Sequence, residues 1–354
     1  MNISQKEMQQ RQRKAATVKS AWTIIQIVVF AIGVFILAML LVQPKLGLFL
    51  LWDLLIPIAP LLLVIAPGVW RNICPMATFS MLPHRFNVSR RKPLPVEWQA
   101  YFFMIAVLLL FLIVPLRHAV LDRYGVVTGV VLLVVAVAAF CLGLIFDWKA
   151  AWCSGLCPVH PVELLYGARP VVTVPNMQCR TCTNCVVPCR DSKKGGTPLD
   201  VTRQKYGRWA ALIFIGCFPG FVFGWFSVSL SPSMSFGTAI FESYFWPYAA
   251  AAVTLIIFLI LTKLVGNRSN LLVRLYAAVA VFIYYWFKLP VMLGLSGDGS
   301  HALLNVGNGA PDWSIWLLRL MLIALFGYLL LARPGVKAWT TPPKPAKSPS
   351  ATLS

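Results

Sequence analysis

The chain has 354 residues, 59% of them hydrophobic and only 12% charged, with a mean hydropathy of +0.76. Soluble domains carry about 25% charged residues, so this composition excludes an ordinary soluble protein and points to a polytopic membrane protein. The formal net charge is +20; no separate basic domain carries it, which argues against nucleic-acid binding and for basic loops that orient the chain in a bilayer.

Residues 1–20 are polar and basic, with Lys6, Arg11, Arg13, Lys14 and Lys19. The apolar run that follows is too long for a signal-peptide core and lacks a small-x-small cleavage site, so it reads as a signal anchor. Apolar runs predict spans at about 21–42, 47–66, 98–116, 125–146, 207–230, 245–264, 271–292 and 312–332. The expected fold class is therefore an all-α polytopic membrane protein of about eight transmembrane helices carrying a small ferredoxin-like 4Fe-4S loop. The segments are a basic N-terminus (1–20), four helices with a Cys-Pro loop (21–146), an iron–sulfur loop (147–206), four more helices (207–332) and a Pro/Lys/Ser/Thr-rich tail expected to be disordered (333–354). Tryptophans near the span ends, Trp22, Trp52, Trp98 and Trp148 among them, read as an interfacial belt.

Of 31 Lys and Arg residues, 26 fall on the N-terminal side of these spans and four (Lys45, Arg117, Arg123, Lys288) on the other, with Arg319 inside the last span. The positive-inside rule then puts both termini and the 147–206 loop in the cytoplasm, in the cytoplasmic (inner) membrane.

Seven of the nine cysteines fall in the segments assigned to the cytoplasm, where thiols stay reduced and serve as metal ligands. Cys179, Cys182, Cys185 and Cys189 stand in the spacing C-x2-C-x2-C-x3-C, which holds an iron–sulfur cluster in bacterial ferredoxins. Thiolates two residues apart can surround a bulky cubane, whose irons spread the ligands over several corners. A single zinc ion usually draws on two knuckles separated by a longer loop. On spacing alone, zinc and a set of disulfides or free thiols stay open as alternatives.

A second set precedes this run. Cys153 and Cys157 form C-x3-C-P, and Cys74-Pro75 stands in a matching place after the first helix pair, with Trp70 where the second copy has Cys153. This reads as a degenerate repeat of two helices and a Cys-Pro turn. Cys74, Cys153 and Cys157 are three candidate ligands for a second cluster, which would need a non-cysteine or water ligand such as His84 or His160. Alternatively they build turn structure, or one of them completes the first cluster. Cys141 and Cys217, within helices, read as small core residues.

Over about residues 20–230 this arrangement resembles the polyferredoxin-like membrane proteins of the NapH and NosR types. The resemblance implies that Cys179, Cys182, Cys185 and Cys189 ligate a 4Fe-4S cluster and that Cys153 and Cys157 are the C-x3-C-P pair. The chain departs from the pattern in several places. It has one ferredoxin run where NapH-like proteins usually have two, its first C-x3-C-P is reduced to Cys74-Pro75, Pro188 and Arg190 flank the last cysteine, and helices six to eight lie outside the likeness.

Other chemistry is less well supported. None of the four histidines (His84, His118, His160, His301) lies mid-span, which argues against an intramembrane haem, and there is no C-x-x-C-H or G-x-G-x-x-G. Asp53 and Arg319 lie within spans and are expected to pair; a quinone-head or proton site is the functional alternative. Glu242 reads as a solvated loop residue, and Ser296–His301 as a flexible turn without the carboxylates of a calcium loop.

The expected function is a membrane-bound electron-transfer protein linking a soluble ferredoxin-like or other redox protein to the quinone pool or a membrane oxidoreductase. It could serve as the electron-transfer subunit of a quinone-linked oxidoreductase. Arg180 and Arg190 would favour the reduced cluster and steer an acidic donor, or belong simply to the basic loops. A redox-sensing or assembly protein with a regulatory cluster is the alternative. A transporter with a zinc-stabilised loop is disfavoured by the scarcity of intramembrane charge.

Overall fold

A computed structural model describes residues 3–179, 182–200, 204–231, 233–266, 269–297, 301–304, 306, 311 and 313–342. Among these, eight helices are long and apolar enough to cross a membrane. In chain order they are α1 (Ile3–Val42), α2 (Pro44–Ile65), α3 (Val96–Leu121), α4 (Gly125–Ile145), α5 (Lys205–Phe226), α6 (Phe236–Val265), α7 (Ser269–Met292) and α8 (Trp313–Ala332). A helix is what such a sequence must form in lipid, because it satisfies every backbone polar group within the segment.

Burial sorts the helices into a core and a periphery. Half or more of the apolar window of α3 and α5 is buried, against 17% for α1 and α6. The outward faces stay apolar, with Ile27, Val34 and Phe35 on α1 and Val253, Ile256 and Ile260 on α6. The main core joins Phe103 and Phe111 of α3, Phe214, Phe218 and Phe221 of α5, Phe258 of α6 and Tyr276 and Tyr285 of α7. Cys141 turns outward and is exposed, so it is not the core residue expected, whereas Cys217 is half-buried and packs against this core.

Two local devices set the packing. Gly216, Gly220 and Gly224 repeat every fourth residue on α5 and let α6 approach closely. A Cβ at Gly220 would stand 2.1 Å from the Ala250 carbonyl oxygen, and one at Gly224 2.3 Å from that of Trp246. In α2, the Tyr285 hydroxyl of α7 enters the helical ladder: it donates to the Pro57 carbonyl at 2.6 Å and accepts from the Leu61 N–H at 3.0 Å. The hydroxyl thus inserts between the carbonyl and N–H of one i, i+4 pair, in the turn that holds both Pro57 and Pro60.

Helix α6 begins at Phe236, well before the apolar run, so Glu242 is helical and accepts a hydrogen bond from Trp246 Nε1 at 2.6 Å. The tail also departs from expectation. After α8, residues 333–342 run back across the 147–206 loop as an ordered strap. Val174–Pro175 (β1) and Thr340–Thr341 (β2) pair in parallel, and Trp339 is 2% exposed. Residues 343–354 lie outside the described residues.

Candidate metal centre

The four cysteines of the ferredoxin-spaced run come together. Cys179, Cys182, Cys185 and Cys189 line one half-open cavity with Trp148, Asn176 and, from the strap, Pro342. Short polar side chains and tight turns shape this loop. Asn176 Oδ1 accepts from the Cys179 N–H at 3.1 Å, and Asn184 takes a left-handed conformation (φ 53°). The Leu94 N–H donates to the Cys185 carbonyl at 3.3 Å, and Thr183 Oγ1 donates to Asp147. Burial pushes the Cys179 thiol up to about 12 against the pull of Lys149, and raises Cys185 further. Cys179 and Cys185 therefore hold their protons near neutral pH, and a metal must displace them to bind.

The Cys-Pro turns meet in a second place. Cys74, Cys153 and Cys157 pack with Ala77, Ala139 and Trp152 in one apolar cluster. Pro75 opens the short helix Pro75–Ser80, and Cys153 lies in the π-helical turn Trp152–Leu156. The repeat is only approximate, since Trp70 packs against the main core while Cys153 joins the cluster of the other two cysteines.

Between the two sulfur sets lies a network that sequence reading missed. Arg71, three residues before Cys74, is 2% exposed. Its Nη1 is 2.7 Å from Glu163 Oε2 and donates to the Cys153 carbonyl at 2.9 Å; Nη2 donates to Ser154 Oγ at 2.9 Å, and Nε is 2.6 Å from Asp191 Oδ1. Asp191, two residues after Cys189, also holds Lys149 at 2.8 Å. Burial works to raise the Glu163 carboxyl, but Arg71 and then His160 outweigh it and hold it below the usual carboxylate range. The strap covers this network: the Trp339 ring lies 5.6 Å from the Arg71 guanidinium and its Nε1 donates to the Gly167 carbonyl at 2.7 Å. Each charged member stands close in sequence to a cysteine motif, and that proximity was the available signal.

Asn72 ties the two halves together. Fully buried, it donates to the Pro175 carbonyl at 2.7 Å and accepts from the Met177 N–H at 3.1 Å, just ahead of Cys179.

The histidines divide. His84 Nε2 lies 2.9 Å from the Phe146 carbonyl and the ring stacks on Trp148, while Nδ1 stands 3.6 Å from Asp147 Oδ1. His160 is fully buried and its Nδ1 stands 3.5 Å from Glu163 Oε2, within the charged network. Arg190 is 4% exposed and donates to the Asp200 carbonyl, and burial pulls its guanidinium down to about 10. It is therefore not the surface cation expected to steer a donor; Arg180 lies outside the described residues.

At the opposite membrane end the expected Asp53–Arg319 pair is replaced by other partners. Asp53, on a π-helical turn of α2, holds Lys288 Nζ at 2.7 Å and His301 Nδ1 at 2.9 Å. Arg319 instead lies over Trp286 and Trp316, at 4.2 and 5.0 Å from the ring centres. His301 thus pins its loop, while residues 298–300 lie outside the described residues.

Among the described residues, no group of three or more His, Cys, Asp or Glu side chains is arranged to hold a single metal ion. Compared with protein-family models, curated proteins and solved structures, the chain matches none.

Proposed function

We propose that this chain is a membrane-anchored electron carrier whose Cys179–Cys189 loop holds a 4Fe-4S cluster. The observation that carries the reading is the convergence of Cys179, Cys182, Cys185 and Cys189 on one cavity. The donor set suits the group. Four thiols around a common space supply the charge and softness that an iron–sulfur core needs, on separate corners rather than around one point. When bound, such a cluster supplies one-electron transfer.

The chain's own residues do the rest. Lys149 is 3% exposed and lies within charge reach of Cys179, so it offsets the negative charge of a thiolate-bound group. Trp148 and Pro342 wall the cavity, restricting water on two sides. The Lys/Arg distribution puts this loop in the cytoplasm, at the surface of the inner membrane.

Electrons enter and leave at this one face. The far ends of the spans lie across about 30 Å of hydrocarbon, and none of the four histidines sits mid-span to ligate an intermediate haem. The partners are a soluble ferredoxin-like or other redox protein on one hand and a quinone or membrane oxidoreductase on the other, both reached from the same side.

The test is redox-titrated EPR with iron and sulfide analysis on anaerobically purified protein. A brown protein with about four irons per cluster, whose reduced signal disappears in Cys182→Ser, is expected. A colourless protein with one zinc would overturn the reading. Reduction of a quinone analogue by the protein plus a ferredoxin separates electron transfer from a redox-sensing or assembly role.

A further inference from the structure

We infer that Cys74, Cys153 and Cys157 form a second iron–sulfur site, distinct from the four-cysteine cavity, with three protein thiolates and one iron left to a non-cysteine ligand. The inference extends the electron-carrier reading but rests on its own residues.

Three observations carry it. First, the convergence is long-range: Cys74 and the Cys153–Cys157 pair lie about 80 residues apart, yet pack in one apolar cluster. Buried cysteines are common as small hydrophobes, but chance burial does not bring three together from two related turns. Second, defined turns present these cysteines: Cys74 is the N-cap of Pro75–Ser80, and Cys153 lies in the π-helical turn Trp152–Leu156 that Cys157 caps. Third, a buried cation stands beside the set. Arg71 donates to the Cys153 carbonyl and Ser154 hydroxyl, and its charge reaches Cys74 and Cys153.

The ligand class follows from the donors. Three thiolates in a dry, apolar setting suit a soft centre. A cubane takes such thiolates on separate iron corners. Glu163, within charge reach of all three sulfurs, is an oxygen donor the chain offers to the fourth iron. Arg71 bonds Glu163 on this side and Asp191 on the other, so it stands between the two sulfur sets.

The experiment uses the full chain, reconstituted anaerobically in detergent, with iron, acid-labile sulfide and EPR as readouts. Wild type should hold about eight irons. Cys157→Ser and, from the other turn, Cys74→Ser should each drop to about four irons while keeping the signal that Cys182→Ser removes. Retention of that signal shows that the variants have folded. If wild type holds about four irons and neither Cys157→Ser nor Cys74→Ser loses any, the second site is overturned while the first stands. If iron is lost with Cys157→Ser but not with Cys182→Ser, the second site stands and the four-cysteine reading fails. A zinc ion lost with Cys157→Ser overturns the cluster at this place.

Discussion

Arg71 Nε and Asp191 Oδ1 stand 2.6 Å apart in an ion pair sealed from solvent, and this contact joins the first Cys-Pro turn to the end of the four-cysteine loop. Two anions, Glu163 and Asp191, share one guanidinium, and Lys149 supplies the second cation. Arg71→Met removes the cation both carboxylates share, leaving Glu163 only the His160 ring and Asp191 only Lys149 as a charged partner. Breaking a buried pair from one side costs about 3–5 kcal/mol, so a large fall in thermal stability in detergent is expected. Arg71→Lys should recover only part of it, because an ammonium cannot span Glu163, Asp191 and Ser154 together.

Glu163 gives the network a pH dependence of known sign. Its carboxyl is held below the unfolded value, so the stability it adds is fully present above about pH 4. That contribution is lost as pH falls through the lower folded value. Thermal unfolding followed from pH 7 downward should show an acid limb in wild type. Glu163→Gln should be less stable at pH 7 and shrink that limb, the remainder coming from Asp191, whose carboxyl Arg71 and Lys149 also hold down; an unchanged acid limb would remove Glu163 from the account.

The strap can be released in two independent ways. Trp339→Ala removes a fully packed indole, a change that costs about 3–5 kcal/mol, along with its bond to Gly167. Gly68→Ala does so sterically, since its Cβ would lie 2.1 Å from the Trp339 carbonyl oxygen. Both variants should raise hydrogen exchange in 333–341 and in the loop around Asp191, whose carbonyl accepts from the Thr340 N–H at 2.7 Å. Unchanged exchange in both would mean that the strap does not hold the loop.

At the other membrane end, Asp53→Asn strands Lys288 and frees His301. A loss of about 2–5 kcal/mol is expected for the single variant. The Asp53→Asn/Lys288→Met double mutant should lose less than the sum, with a coupling of about 0.5–3 kcal/mol. Strict additivity would show that the pair makes no energetic contribution.

The glycine stripe of α5 predicts a packing defect without any change in polarity. Gly220→Leu places a branched side chain where the Ala250 carbonyl oxygen already stands 2.1 Å from a Cβ. α5 and α6 must separate, and the variant should show lower thermal stability or fail to accumulate in the membrane, while Gly237→Leu, with open space around it, should not.

The eight spans were legible because lipid enforces long apolar runs. The start of α6 was not, because Glu242, Ser243 and Pro247 dilute the hydropathy of a helix that nevertheless continues through them. Partner choice was also hidden. Asp53 and Arg319 sit at similar depth, but depth does not give the rotation of α2 against α7 that brings Lys288 forward. Arg71 and Arg190 were counted with the basic loops, and only the fold shows that they are buried. The strap was concealed by its composition: prolines, lysines and threonines look disordered, and its buried aromatic anchor, Trp339, carries no periodic signal.

That strap also fixes an order of assembly. Trp339 and Thr340 leave the ribosome only after all eight spans have been made, so the nascent chain presents its four-cysteine cavity without Pro342 and its charged network without the indole. Whatever the cavity receives has freer access before residues 333–342 are made than after, and that late stretch closes over residues made far earlier.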